Sequence, residues 1–92
     1  MKRIVDTSQI DTDNPLIRNE LDIDLRRMNR LDHSEAPDGA DAYRVVVKPS
    51  SATYSEFLHR FIFEIQYGKF DGGEFIPLGE VLKKQTETLP FL

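Results

Sequence analysis

Apolar and polar positions along the chain change period several times, and the changes divide it into elements. The densest apolar run is Thr53 to Gly68, TYSEFLHRFIFEIQYG. At 100° per residue Tyr54, Phe57, Leu58, Phe61, Ile62 and Ile65 share one stripe, Thr53 and Glu56 have capping-box spacing, and Gly68 stands where a left-handed C′ residue often ends a helix. These signals predict a helix over about residues 54–67. Phe63 and Tyr67, with His59 one turn earlier, then form a second stripe on the opposite side. A strand is the rival reading, since Phe61, Phe63, Ile65 and Tyr67 alternate with Arg60, Ile62, Glu64 and Gln66 and share one face without a second stripe.

Earlier in the chain, Met1 to Val5 has the length and apolar end of a short strand. Asn14 followed by Pro15 is a good N-cap and N1 pair, because proline has no N–H to lose there and its φ is already helical. The predicted helix runs over about 14–31, with Ile17, Leu21, Leu25, Met28 and Leu31 on one face and Leu16 and Ile23 pointing the other way. Leu21, Ile23 and Leu25 also alternate with Asp22, Asp24 and Arg26, so a strand competes here too. His33 to Asp41 is a loop with Pro37-Asp38-Gly39 as its turn residues. Ala42 to Lys48 is the clearest strand, with Tyr43, Val45 and Val47 on one face and a mixed outer face of Arg44, Val46 and Lys48. Asp71-Gly72-Gly73 is a turn signal, Glu74 to Pro77 a short strand, and about 78–85 a short helix. The expected fold is a small two-layer α+β domain: a sheet of about residues 1–5, 42–48 and 74–77 packed with helices of about 14–31 and 54–67, and a short C-terminal helix.

Composition adds limits. Ninety-two residues make one domain, 1–92, burying roughly 60–65 % of the unfolded surface, so its stability margin is thin. Without cysteine, disulfides, thiolate metal sites and a cysteine nucleophile are excluded. No apolar h-region follows the basic start and no run reaches membrane-spanning length, so a cytoplasmic protein without membrane contact is expected. The net charge of −4 is uneven: residues 1–41 hold ten acids and six bases, the remainder six of each. That makes charge mimicry of a nucleic-acid backbone conceivable.

Chemistry is sparse. His33-Ser34-Glu35 matches the H-x-E of zinc deaminases, but their cysteine pair is missing. The loop acids lack calcium-loop spacing, and the glycines form neither a P-loop nor a dinucleotide fingerprint. No enzyme, metal or cofactor is therefore expected. Arg26, Arg27 and Arg30 cluster on one third of the first helix, away from its apolar stripe, where guanidinium groups can hold phosphate or an acidic partner. An acidic chain disfavours direct nucleic-acid binding. The leading expectation is a non-enzymatic module of inhibitor, immunity or regulator type, phage- or toxin-linked in one version. It would bind a larger protein through His59, Phe63, Tyr67 and the tail residue Phe91, with homo-oligomerisation as a further outcome. The alternative is a nucleic-acid-linked role, by charge mimicry or through the arginine trio.

Overall fold

The computed structural model describes residues 1–49 and 61–85. They form the expected small two-layer α+β domain, a mixed sheet with one helix on one face. The order is β1 (Lys2–Asp6), α1 (Pro15–Met28), β2 (Ala42–Pro49), β3 (Phe61–Asp71), β4 (Glu74–Pro77) and β5 (Leu82–Gln85). β1 and β2 are parallel neighbours, which requires a crossover connection, and α1 supplies it. β2 and β3 pair antiparallel over Ala42–Pro49 and Phe61–Gly68. β4 and β5 both pair with the far side of β3, one after the other.

α1 begins as its sequence predicts. The Asn14 side chain accepts the Leu16 N–H at 3.0 Å, with Pro15 at the first helical position. Leu21 and Met28 are buried, and Ile17 and Leu25 pack beside them. Leu16 and Ile23, 70 % and 48 % exposed, point to solvent. The strand reading of 21–25 is thereby excluded. At the other end Arg3 of β1 donates to the Leu25 carbonyl (2.7 Å) and to Asn29 Oδ1 (3.1 Å). One side chain thus satisfies a carbonyl left without a helical partner and ties helix to sheet. Asp24, 4 % exposed, is buried among the apolar residues and has an interaction partner.

The helix expected over 54–67 is corrected for its second half. Residues 61–67 belong to β3, and residues 50–60 lie outside the described part. Phe61, Phe63, Ile65 and Tyr67 are all buried and stand opposite Pro49, Val47, Val45 and Tyr43. Seven large side chains of two strands therefore fill one face by period-two alternation, which a helix would have split into two stripes. Gly68, read as a helix end, is no such residue, for it is absent from the positive-φ glycines. It serves close approach instead: a Cβ there would meet the Ile76 carbonyl and come within 2.8 Å of the Phe75 ring.

The short helix expected over 78–85 is also corrected. Gly72 and Gly73, both at positive φ, close a two-residue hairpin between Asp71 and Glu74, the turn chemistry that such loops require. After Pro77 the chain leaves the ladder for Leu78–Val81, with Gly79 at φ +80°, and rejoins it at Leu82 opposite Ile65. Four residues there face Gln66 and Tyr67. The surplus of two is even, so the alternation of faces survives the bulge and Leu82 returns to the core side.

Two substitutions test this packing by urea denaturation. Phe63→Ala should destabilise by about 3–5 kcal/mol, enough to threaten the fold of so small a domain. Gly68→Ala should cost about 1–3 kcal/mol by pushing β4 away. A Gly68→Ala change within about 0.5 kcal/mol of wild type would contradict the close approach.

Candidate functional site

The register that sends the odd-numbered residues of β2 and β3 under α1 sends the even-numbered ones to the other face. Arg44, Val46 and Lys48 stand there beside Ile62, Glu64 and Gln66. Ile4 of β1 lies opposite Arg44, and the paired Phe70 and Phe75 extend the face beyond β3. All are partly exposed. No helix among the described residues covers them. The aliphatic and aromatic groups are interleaved with charges that are already matched. Lys48 pairs with Glu64, and Arg44 donates to Gln66 Oε1 at 2.8 Å with its guanidinium 5.0 Å from the Phe75 ring centroid. Lys2 stacks 3.6 Å over the Phe70 ring.

The Leu78–Val81 bulge gives this face relief. Gln66 Nε2 donates to the Gly79 carbonyl (3.3 Å), and a cleft of about 280 Å³ lies among Arg44, Val46, Glu64, Gln66 and Val81. Val81 is 48 % exposed. The cleft combines an aliphatic floor with one guanidinium, one carboxylate and one amide held in place by neighbours. Such a surface suits an apolar anchor with a polar rim. Its two charged groups are each held by a neighbour, Glu64 by Lys48 and Arg44 by Gln66 and the Phe75 ring, so the cleft presents them in fixed positions.

A second cluster lies at the end of the sheet where β2 begins. His33 Nδ1 and the Tyr67 hydroxyl are 2.9 Å apart, and the His33 ring centroid is 5.0 Å from that of Tyr43 and 5.7 Å from that of Tyr67. Burial, with the electrostatic influence of Tyr43, Glu35 and Asp32 behind it, pushes the Tyr67 phenol up to about 12. Burial lowers His33, the N-terminal ammonium adds to that, and Asp32 opposes it. Both shifts favour neutral partners, joined by a hydrogen bond whose direction is set by the imidazole tautomer. Burial raises Tyr43 as well, against the pull of Arg3. The cluster therefore reads as a satisfied polar seam beside the core. Among the described residues no group of three His, Cys, Asp or Glu side chains stands close enough to hold a metal ion.

The residues singled out in the sequence are placed differently from expectation. Phe63 (0 % exposed) and Tyr67 (3 %) are core residues, because a strand leaves no second stripe for a partner to cover. His59 and Phe91 lie outside the described residues. Arg26, Arg27 and Arg30 are exposed at the C-terminal end of α1, where basic groups complement the helix dipole. Arg27 and Arg30 have interaction partners. The face built by Ile4, Arg44, Val46, Ile62, Glu64 and Gln66 was half visible in the mixed outer face of Arg44, Val46 and Lys48. The rival strand reading of 61–67 held Ile62, Glu64 and Gln66, and Ile4 joins them only through the pairing of β1 with β2.

Against family models, curated proteins and solved structures the chain finds no match. Fold and site together define a class only: a small α+β domain with one sheet face sealed by a helix and the other amphipathic among the described residues.

The His33 seam has a pH signature. In the unfolded chain His33 takes a proton near the ordinary imidazole value of 6.5, while in the folded chain it does so only at lower pH. Above the unfolded value the seam's contribution is complete. As pH falls below it, the unfolded state binds the proton first and stability drops until the folded value is passed. Melting temperatures between about pH 7.5 and about pH 5 should therefore fall less steeply in His33→Gln than in wild type. Parallel slopes would contradict the seam.

Proposed function

We propose that the chain is a non-enzymatic protein-binding module of inhibitor or regulator type, which docks a larger protein on the open face of its sheet. The observation that carries this reading is the set Ile4, Val46, Ile62 and Phe75, interleaved with matched charges and crossed by the Arg44–Val81 cleft. An amphipathic face of this kind is stabilised by a surface that covers its apolar groups while leaving its ion pairs at the rim. The net charge of −4 favours association with a basic partner surface. The nucleic-acid-linked alternative has less behind it. Its arginine trio sits at a helix C-terminus, where basic side chains are favourable in any helix, and the chain is acidic overall.

Site-specific photo-crosslinking in cells tests the proposal. A photoreactive residue at Val46 should trap one larger protein, whereas the same group at Asn19 on the exposed side of α1 should not. The partner so identified should bind purified Val46→Asp at least about ten-fold more weakly than wild type. Equal trapping at both positions, or unchanged affinity, would remove the open face from the account.

A further inference from the structure

β1 is an outer strand of the sheet among the described residues, and its sequence is Lys2-Arg3-Ile4-Val5-Asp6. The Lys2 amide donates to the Asp41 carbonyl at 3.1 Å, and Lys2 is in register with Ala42. Ladder alternation then turns the backbone groups of Lys2, Ile4 and Asp6 toward β2. Those of Arg3 and Val5 face outward. The side chains of Lys2, Ile4 and Asp6 share the open face with Arg44 and Val46, while Val5 joins the core side. On that side the helix leaves room: a cleft of about 310 Å³ runs between the strand and α1, over Val5, Leu21 and Leu25, with Arg18 and Asp22 at its rim.

We propose that β1 is a homodimerisation edge, pairing antiparallel with β1 of a second copy about a two-fold axis at Ile4. This register lets the outward-facing Arg3 and Val5 of each copy exchange both backbone hydrogen bonds with Val5 and Arg3 of the other. Ile4 then meets Ile4, and Lys2 of each copy stands directly opposite Asp6 of the other, in the closely spaced pairs of the ladder. Charge complementarity selects the register. A shift by one pair one way sets Arg3 against Arg3; the other way sets Ile4 against Asp6 and leaves Lys2 without a partner. Asp6 carries its charge at neutral pH, since hydrogen bonding from Ser8 lowers it further below the usual carboxylate range. The symmetry is isologous, as expected of soluble homodimers, and charged edge residues that ordinarily discourage strand addition here accept one partner in one orientation. The dimer would join two open faces into one platform, with the two Ile4 residues at its centre.

Sedimentation equilibrium of the purified chain from about 10 μM to about 1 mM tests this. The wild type should show a monomer–dimer equilibrium. Lys2→Glu alone and Asp6→Lys alone each set like charges opposite each other twice, and each should weaken dimerisation at least about ten-fold. Mixed in equal amounts, the two variants present complementary charges at both pairs and should dimerise with one another at wild-type strength. An independent readout is covalent. The chain has no cysteine, and Ile4→Cys places two thiols on the axis at roughly 4.5 Å between Cα atoms, within disulfide reach. Mild oxidation should cross-link Ile4→Cys and leave the helix-surface variant Ile23→Cys monomeric. A wild type monomeric throughout, dimerisation indifferent to the charge reversals, or cross-linking at Ile23→Cys as fast as at Ile4→Cys would each overturn the proposal. These measurements use the purified chain alone, so their failure is separate from failure of the larger-partner reading.

Discussion

The β2–β3 ladder is the constraint on which the structure depends. Once Val45 stands opposite Ile65 and Val47 opposite Phe63, a strand's two-residue period fixes the face of every neighbour. The odd positions become a wall of four aromatic and four aliphatic side chains, counting the edge Val5 but not the helix. α1 has one apolar stripe, and the wall gives it a place to lie. Arg3 fastens its far end through the Leu25 carbonyl. The even positions are left on the opposite face by the same step. A slip of β3 by one residue would turn its faces over and bring Glu64 and Gln66 to the side of Val45 and Val47, so pairing is strongly specified, and the open face is a consequence of the core.

Most elements were legible where local chemistry and period agreed. Asn14-Pro15 started a helix, Asp71-Gly72-Gly73 turned a hairpin, and Tyr43, Val45 and Val47 marked a strand. The principal error fell where they disagreed. Thr53, Glu56 and Gly68 are helix punctuation by local chemistry, whereas Phe61 to Tyr67 alternate as a strand. In the described part, tertiary pairing with β2 decides for the strand, and Gly68 is required by the Phe75 ring and Ile76 backbone. Nothing local announces that requirement, because β4 lies across a hairpin. The segment 78–85 failed similarly: Leu78, Val81 and Leu82 have helical spacing, but Gly79 at positive φ and the free edge of β3 draw the chain back into the sheet.

The candidate site moved with the strand. Phe63 and Tyr67 stood out because large aromatics on a second helix face require a cover, and in β3 that cover is α1 and the rest of the core. The burden passes to quieter residues. Val46 and Ile62 are ordinary strand residues, and Arg44, Glu64 and Gln66 read as solvated polar positions until register places them around one cleft. Binding on such a face, as proposed, would rest on shape and on the matched charges around it, which leave no motif in a sequence. The His33–Tyr67 seam is the converse case: it has the residue types of a reactive pair, and its surroundings hold both groups neutral.

The two faces of one ladder differ in access, sealed at odd positions and open at even ones. Methyl NMR with a soluble paramagnetic relaxation agent measures that difference directly. Val46, Ile62 and Ile4 methyl signals should broaden strongly with the agent, while those of Val45, Val47 and Ile65 stay sharp. If Val46 and Ile62 are as protected as Val45 and Val47, the even face is covered in solution and cannot serve as the binding surface.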